Sequence, residues 1–168
     1  TSAVNDLLGS TEDQTITVTD DMAIANTLEG AGGADSLSVL GNTSVIGGLF
    51  GGGEGQDASA LADAADTITV NTTGTVQVVE GGAGGDVINL LGGTITTDVL
   101  GQADNDIITL NGAMVTGNID GGTGDDSIDL LAGAVSEVLG GDDNDTIMLN
   151  GATVGGNIDG GAGNDTID

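Results

Sequence analysis

An aspartate recurs about every 20 residues along most of this chain, and no other feature restricts the fold as strongly. We call these residues marker aspartates: Asp35, Asp66, Asp86, Asp106, Asp126, Asp145 and Asp165, with Gln14 at the equivalent place in a degenerate first coil. From Asp66 onward the intervals are 20, 20, 20, 19 and 20 residues. A constant period of this length predicts a solenoid, in which each repeat forms one coil and packs on its neighbours.

Each repeat contains two short runs in which apolar residues alternate with other residues. The first run follows the marker, as in Ile68 and Val70. The second run ends in an apolar position that we predict to face the core, formed by Leu28, Phe50, Val79, Val99, Ile119, Val138 and Ile158. Because such alternation is typical of strands, the sequence predicts an all-β fold. We expect a parallel β-roll or β-solenoid with two sheets, about 20 residues per coil and about eight coils.

The repeat divides the chain into two predicted regions. Residues 1–29 are expected to form the degenerate first coil and a candidate N-terminal cap, and residues 30–168 the regular roll. One irregularity interrupts the roll, because Asp57 ends a glycine-rich turn but the next strand begins only after Asp66. The sequence therefore predicts an inserted loop near residues 58–65.

The charge of the chain is entirely of one sign. It contains 27 Asp and Glu residues and no Lys, Arg or His, which gives a formal charge of −27. No internal salt bridge can form, and a compact state repels itself unless cations bind. Nucleic acids are not expected as partners, because phosphate contacts need basic residues. The chain has no Cys, and no apolar run approaches the about 20 residues of a membrane span, so neither disulfides nor membrane insertion is expected.

Four turns of the chain fit the pattern Gly-Gly-x-Gly-x-Asp, namely residues 52–57, 81–86, 121–126 and 160–165. An apolar residue follows two positions later, directly or after the insertion, as in the calcium nonapeptide of β-helix repeats. The chain resembles the RTX (repeats-in-toxin) family of secreted calcium-binding β-rolls over most of its length, and only weakly before Gly30. The resemblance implies a secreted, extracellular protein that holds several calcium ions.

The residue types in these turns favour the same ion for an independent physical reason. Marker carboxylates stacked about 4.8 Å apart repel each other, and a hard cation between turns would turn that repulsion into bonding. Calcium binds carboxylate and carbonyl oxygens, whereas softer metals need the His or Cys that this chain lacks. The predicted ligands are Asp35, Asp57, Asp66, Asp86, Asp104, Asp106, Asp126, Asp143, Asp145 and Asp165, with loop carbonyls near Gly82, Gly84, Gly122, Gly124, Gly161 and Gly163.

Two details of these turns affect the expected ion sites. Asp104 and Asp143 stand where the motif has its last glycine, and they are either additional ligands or solvated turn residues. Typical RTX members carry the motif on both edges of the roll, but here only one edge has it. We therefore expect a single row of calcium ions along the glycine-rich edge.

A longer period of about 40 residues overlies the 20-residue repeat. Five residues after the marker, Leu and Asn alternate through Leu40, Asn71, Leu91, Asn111, Leu131 and Asn150. Six residues before it, acids and Leu alternate through Glu80, Leu100, Asp120, Leu139 and Asp159. Duplication of a two-coil unit explains the pattern, and a functional alternation with a spacing of about 9.6 Å is the other hypothesis.

These features favour a structural or adhesive solenoid of a surface-layer, filament or matrix protein over an enzyme. The alternative is a calcium-folded RTX module of a larger type I secreted enzyme, toxin or adhesin, and the flanking sequences would discriminate between them. An ice-binding roll is a weaker hypothesis, because the residues before the markers form a mixed, charged row without a Thr rank. Besides calcium, we expect copies of the same chain or further repeats as partners, stacked head-to-tail or laterally.

Overall fold

The computed structural model describes residues 3–10, 12–19, 23–41, 44–51 and 64–168. Their regular structure consists of strands, and no helix in this part of the chain could span a membrane. The strands are β1 (Ala3–Leu8), β2 (Thr15–Val18), β3 (Ala23–Glu29), β4 (Ser36–Gly41), β5 (Ser44–Phe50), β6 (Thr67–Ala83), β7 (Val87–Ile95), β8 (Val99–Ala103), β9 (Ile107–Thr123), β10 (Ser127–Asp142), β11 (Thr146–Leu149), β12 (Thr153–Val154), β13 (Ile158–Ala162) and β14 (Thr166–Ile167).

The strands stack in parallel, each on the equivalent strand of the next coil. Ile68 pairs with Ile88, Ile88 with Ile108 and Ile108 with Ile128, so the register advances by one repeat per coil. Long strands such as β6 and β9 continue around the edge opposite the glycine-rich turns. The two predicted faces consequently belong to one continuous 14-stranded sheet that folds back on itself.

The prediction of an all-β parallel solenoid is confirmed, with about six turns of about 20 residues. This count is slightly lower than the predicted eight, which included the partial coils at both ends. The step from Asp35 to Asp66 is longer than the others, yet β4 pairs with β6 in register, and β5 pairs with β6 with one register shift between Val45 and Gly48. Residues 58–63 of the predicted inserted loop, and Asp57, lie outside the described residues.

The core is a single layer of aliphatic side chains between the two halves of each coil. Both halves contribute alternate residues, as the strand signal predicted, and Ile68, Ile88, Ile108 and Ile128 form one fully buried column. The other fully buried Leu and Ile side chains are Leu28, Leu37, Leu49, Leu90, Ile95, Leu110, Ile119, Leu130 and Ile147. Stacking like residues in columns lets every coil use the same packing.

The predicted inward position of Phe50 is wrong. Leu49 is fully buried and pairs with Val79, whereas Phe50 is half-buried and pairs with Glu80 on the outer surface. A Cβ added to Gly48 would lie within 3.0 Å of the Phe50 ring, so the ring packs over this glycine. Adjacent strand residues point to opposite faces, and the ladder register therefore admits only one of the two residues into the core.

Candidate metal site

The marker aspartates lie inside the solenoid, at the bend where the glycine-rich turn enters the first strand of a coil. Asp35, Asp66, Asp86, Asp106, Asp126 and Asp145 are only 1–3 % exposed. Each marker stands two residues before the first inward aliphatic residue, as Asp106 does before Ile108. Because residues i and i+2 of a strand share a face, this parity was a usable sequence signal for burial. Sequence reasoning missed it.

One carboxylate oxygen of each marker closes a hydrogen-bond ladder along the solenoid axis. The backbone N–H of Asp106 donates to Oδ1 of Asp126 at 2.8 Å, and that of Asp126 donates to Oδ1 of Asp145 at 2.9 Å. The same bond joins Gln14 to Asp35, Asp35 to Asp66, Asp66 to Asp86, Asp86 to Asp106 and Asp145 to Asp165. Each marker carboxylate thus accepts a hydrogen bond from the buried backbone N–H of the preceding marker, at the bend of the coil.

The second carboxylate oxygen is the unusual feature of the ladder. Oδ2 of Asp35, Asp106, Asp126 and Asp145 is buried and accepts no hydrogen bond from the described part of the chain. A buried charged oxygen without a partner is costly, because it has lost its water and gained nothing in exchange. These atoms need a cation, a proton or a bound water molecule as a partner.

Burial shifts the ionisation of the marker carboxyls in the direction that these contacts predict. Desolvation is the main cause that raises the pKa of Asp106 to about 7. The hydrogen bond from the backbone of Asp86 lowers this pKa, and the negative charges of Asp126 and Asp104 raise it further. Desolvation likewise raises the pKa of Asp126 to about 6. The pKa values of Asp35 and Asp145 are raised for the same main reason.

A column of glycines makes room for the marker carboxylates. The glycine five residues before the marker, such as Gly101 or Gly121, is buried against Oδ2 of that marker. A Cβ at either position would lie within 3.0 Å of Oδ2 and of the carbonyl oxygen of the next glycine in the column. The same contact holds for Gly30, Gly81 and Gly140. The first glycine of the motif is therefore required by space, including in coils whose turns lack the full motif.

The remaining motif glycines serve the turn itself. The predicted carbonyl positions at Gly82, Gly84, Gly122, Gly124, Gly161 and Gly163 all have positive φ angles. In the turn before Asp106, which lacks those glycines, Gln102 and Asp104 adopt the same positive φ, at 87° and 73°. Asp143 adopts it in the turn before Asp145, at 78°. Asp104 and Asp143 are exposed, unlike the buried markers next to them.

A second, outer ladder runs beside the first, through the residues that immediately precede the markers. The backbone N–H of Asp125 donates to Oδ1 of Asn105 at 3.0 Å, and that of Asn144 donates to Oδ1 of Asp125 at 2.9 Å. Asn164 donates in the same way to Oδ1 of Asn144. The backbone and side-chain hydrogen bonds from Asn144 lower the pKa of Asp125. These exposed side chains hold adjacent turns together.

The described residues contribute one buried marker carboxylate per coil to the inner ladder. Asp165 is half-buried at the final coil, where its Oδ1 accepts the N–H of Asp145 at 3.1 Å. No group of three or more Asp and Glu side chains within the described ranges is close enough to hold a metal ion. A cation at the ladder would have to take most of its ligands from backbone carbonyls, an arrangement that suits calcium and does not suit softer metals.

Comparison with protein-family models, with curated proteins and with solved structures finds no match to this chain. The resemblance to RTX proteins consequently rests on the turn motif and its period.

Proposed function

We propose that this protein is a calcium-dependent, extracellular structural or adhesive solenoid. The observation that carries the proposal is the column of buried marker carboxylates, in which Oδ2 of Asp106, Asp126 and Asp145 has no hydrogen-bond donor from the described residues. The chain has no basic side chain that could neutralise this column. A cation from solution would supply the missing charge.

Electrostatic magnitudes support this requirement. Two unit charges about 4.8 Å apart repel by about 1 kcal/mol in water and by about 3.5 kcal/mol at an effective dielectric of about 20. Each inner marker has a neighbour on both sides, so the ion-free ladder at neutral pH opposes folding. Calcium ions held by the marker carboxylates and by nearby turn carbonyls would remove this repulsion and bind only the folded state, which stabilises it by mass action.

The residue inventory favours a structural role over a catalytic one. The chain lacks His, Cys, Lys and Arg, which are the usual nucleophiles, bases and stabilisers of developing negative charge. Every coil repeats the same core, and its coupling to other coils is nearest-neighbour, as in proteins that serve as extended scaffolds. The four complete motif turns also fit the alternative of a calcium-folded module in a larger secreted protein. The domains encoded beside this segment would distinguish the two.

Circular dichroism of the purified chain tests the calcium requirement. We expect little β-structure in EDTA at neutral pH and a cooperative gain of β-structure on addition of calcium, with magnesium far less effective. Asp126→Asn should weaken the calcium response, whereas Asp129→Asn, on the outer face, should leave it unchanged. A β-rich spectrum in EDTA that calcium does not alter would contradict the proposal.

A further inference from the structure

An alternating stripe of acids and large apolar residues runs along the outer face of the second half of the coils. Ladder pairing places its members side by side in successive coils: Glu29, Phe50, Glu80, Leu100, Asp120, Leu139 and Asp159. We call this column the acid–apolar stripe. The corrected outward position of Phe50 extends the alternation without a break to the N-terminal coils.

The dimensions of the stripe follow from the strand spacing. Neighbouring members lie about 4.8 Å apart, so successive acids repeat at about 9.6 Å and the apolar residues repeat at the same interval between them. Leu139 lies between Asp120 and Asp159 in a shallow groove of about 470 Å³. Gly122 and Gly141 line the groove beside the stripe and present no side chains that would obstruct a ligand.

The electrostatics of this face call for a positively charged partner. Asp98 lies close enough to Asp120 for the two negative charges to repel each other. Glu137 and Asp142 add negative charge nearby. Since the chain contains no Lys, Arg or His, a second copy of it carries no countercharge for this face.

We propose that the acid–apolar stripe docks an extended basic segment of another protein, with a Lys or Arg at about every third residue. Polyproline II has three residues per turn, so every third side chain returns to the same face after about 9.3 Å, which is close to the about 9.6 Å repeat of the acids. The aliphatic stems of Lys and Arg pack on apolar surface while their charged heads reach carboxylates. Leu100 and Leu139 would contact the stems, and Asp120 and Asp159 would receive the heads.

This inference goes beyond the calcium function and uses other side chains, although the groove shares Gly122 and Gly161 with the predicted calcium-binding turns. The stripe lies on the outer face, whereas the marker carboxylates lie inside the bend. Binding can therefore be measured on the calcium-loaded, folded chain, with circular dichroism as a separate check of folding. If the stripe proposal is wrong, the peptide does not bind although circular dichroism shows a folded chain. If the calcium proposal is wrong, circular dichroism shows no change on addition of calcium.

Fluorescence anisotropy with two labelled synthetic peptides of equal composition tests the proposal in physiological salt. One peptide carries Lys at every third residue, and the other carries the same lysines in one cluster. We expect the spaced peptide to bind roughly fivefold more tightly, which corresponds to about 1 kcal/mol. Asp120→Asn and Leu139→Asn should each weaken its binding by a similar factor. The matched controls Asp129→Asn and Leu131→Asn lie off the stripe and should bind as the unaltered chain does.

Two results would overturn the proposal. Equal affinity for both peptides, with equal losses in stripe and control variants, would show diffuse attraction to a polyanion. A calcium-dependent dimer that Leu139→Asn disperses, together with no peptide binding, would assign the stripe to contact between copies. Should Leu139→Asn fail to fold, Asp159→Asn repeats the comparison, because that side chain is already exposed.

Discussion

Replacement of one buried marker carboxylate by its neutral isostere should stabilise the ion-free protein and weaken the calcium-loaded one. Asp106→Asn keeps the oxygen that accepts the backbone N–H of Asp86 and removes the charge at Oδ2. The change is nearly isosteric, so the packing against Gly101 is preserved. The charge is thus the main quantity that changes.

The pKa of Asp106 sets the size and the sign of the effect. Burial raises this pKa from 3.8 to about 7. Below about pH 3 the carboxyl is protonated in both states and the ladder is not opposed by this charge. As the pH rises toward 7 the unfolded chain gives up the proton first, and the folded state loses stability. At 1.36 kcal/mol per pKa unit the loss is at most about 4 kcal/mol, and screening reduces it to roughly 2–4 kcal/mol.

Because the ion-free chain is expected to have little β-structure at neutral pH, folding of both chains in EDTA is induced with sucrose, which favours the folded state, and is followed by circular dichroism from acid to neutral pH. We expect equal free energies of unfolding near pH 3 and an advantage for Asp106→Asn that grows to about 2–4 kcal/mol by about pH 7. In saturating calcium the order should reverse, because the variant offers the ion one charge fewer.

Asp129→Asn is the matched control, because Asp129 is half-exposed on the outer face and its loss should change stability by less than about 0.5 kcal/mol at any pH. An advantage of Asp106→Asn that is absent at neutral pH in EDTA would refute the argument. So would an advantage that does not depend on pH, since it would not arise from ionisation.

Three further substitutions test other parts of the structure. Gly121→Ala should destabilise the fold by about 3 kcal/mol in urea unfolding, because its Cβ would collide with Oδ2 of Asp126, whereas Gly155→Ala, with no atom closer than 3.6 Å, should be tolerated. Asp104→Gly should raise the free energy of unfolding of the ion-free chain by about 0.5–1 kcal/mol, since glycine accepts the left-handed backbone. If titration calorimetry shows that this variant binds one calcium ion fewer than the unaltered chain, Asp104 is instead a ligand. Ile128→Ala should cost about 2–5 kcal/mol in the same unfolding assay, because the side chain is fully buried.

Much of the architecture could be predicted because periodicity carries it. Equal spacing of the markers and alternation of Ile, Leu and Val predict stacked parallel strands, and pairs such as Ile88 and Ile108 confirm that register. The same pattern predicted that only one edge of the roll carries the Gly-Gly-x-Gly-x-Asp motif. Alternation alone cannot tell which residue faces the core in a run such as Gly48-Leu49-Phe50, because both Leu49 and Phe50 are apolar. Only the pairing of Leu49 with Val79 decides which of them is buried.

The sequence by itself determined that acids, glycines and aliphatic residues would align in columns, since every repeat has nearly the same length and each coil adds the same residue types. The tertiary structure decided what each column contacts. It directs the carboxylate of Asp126 inward, with one oxygen on the N–H of Asp106 and the other against Gly121. It also directs Glu80, Leu100 and Asp120 outward. Parity with Ile128 places Asp126 on the inward face, but the atoms that its two oxygens contact depend on how the backbone bends between two strands, and that bend is set by contacts with the coils above and below.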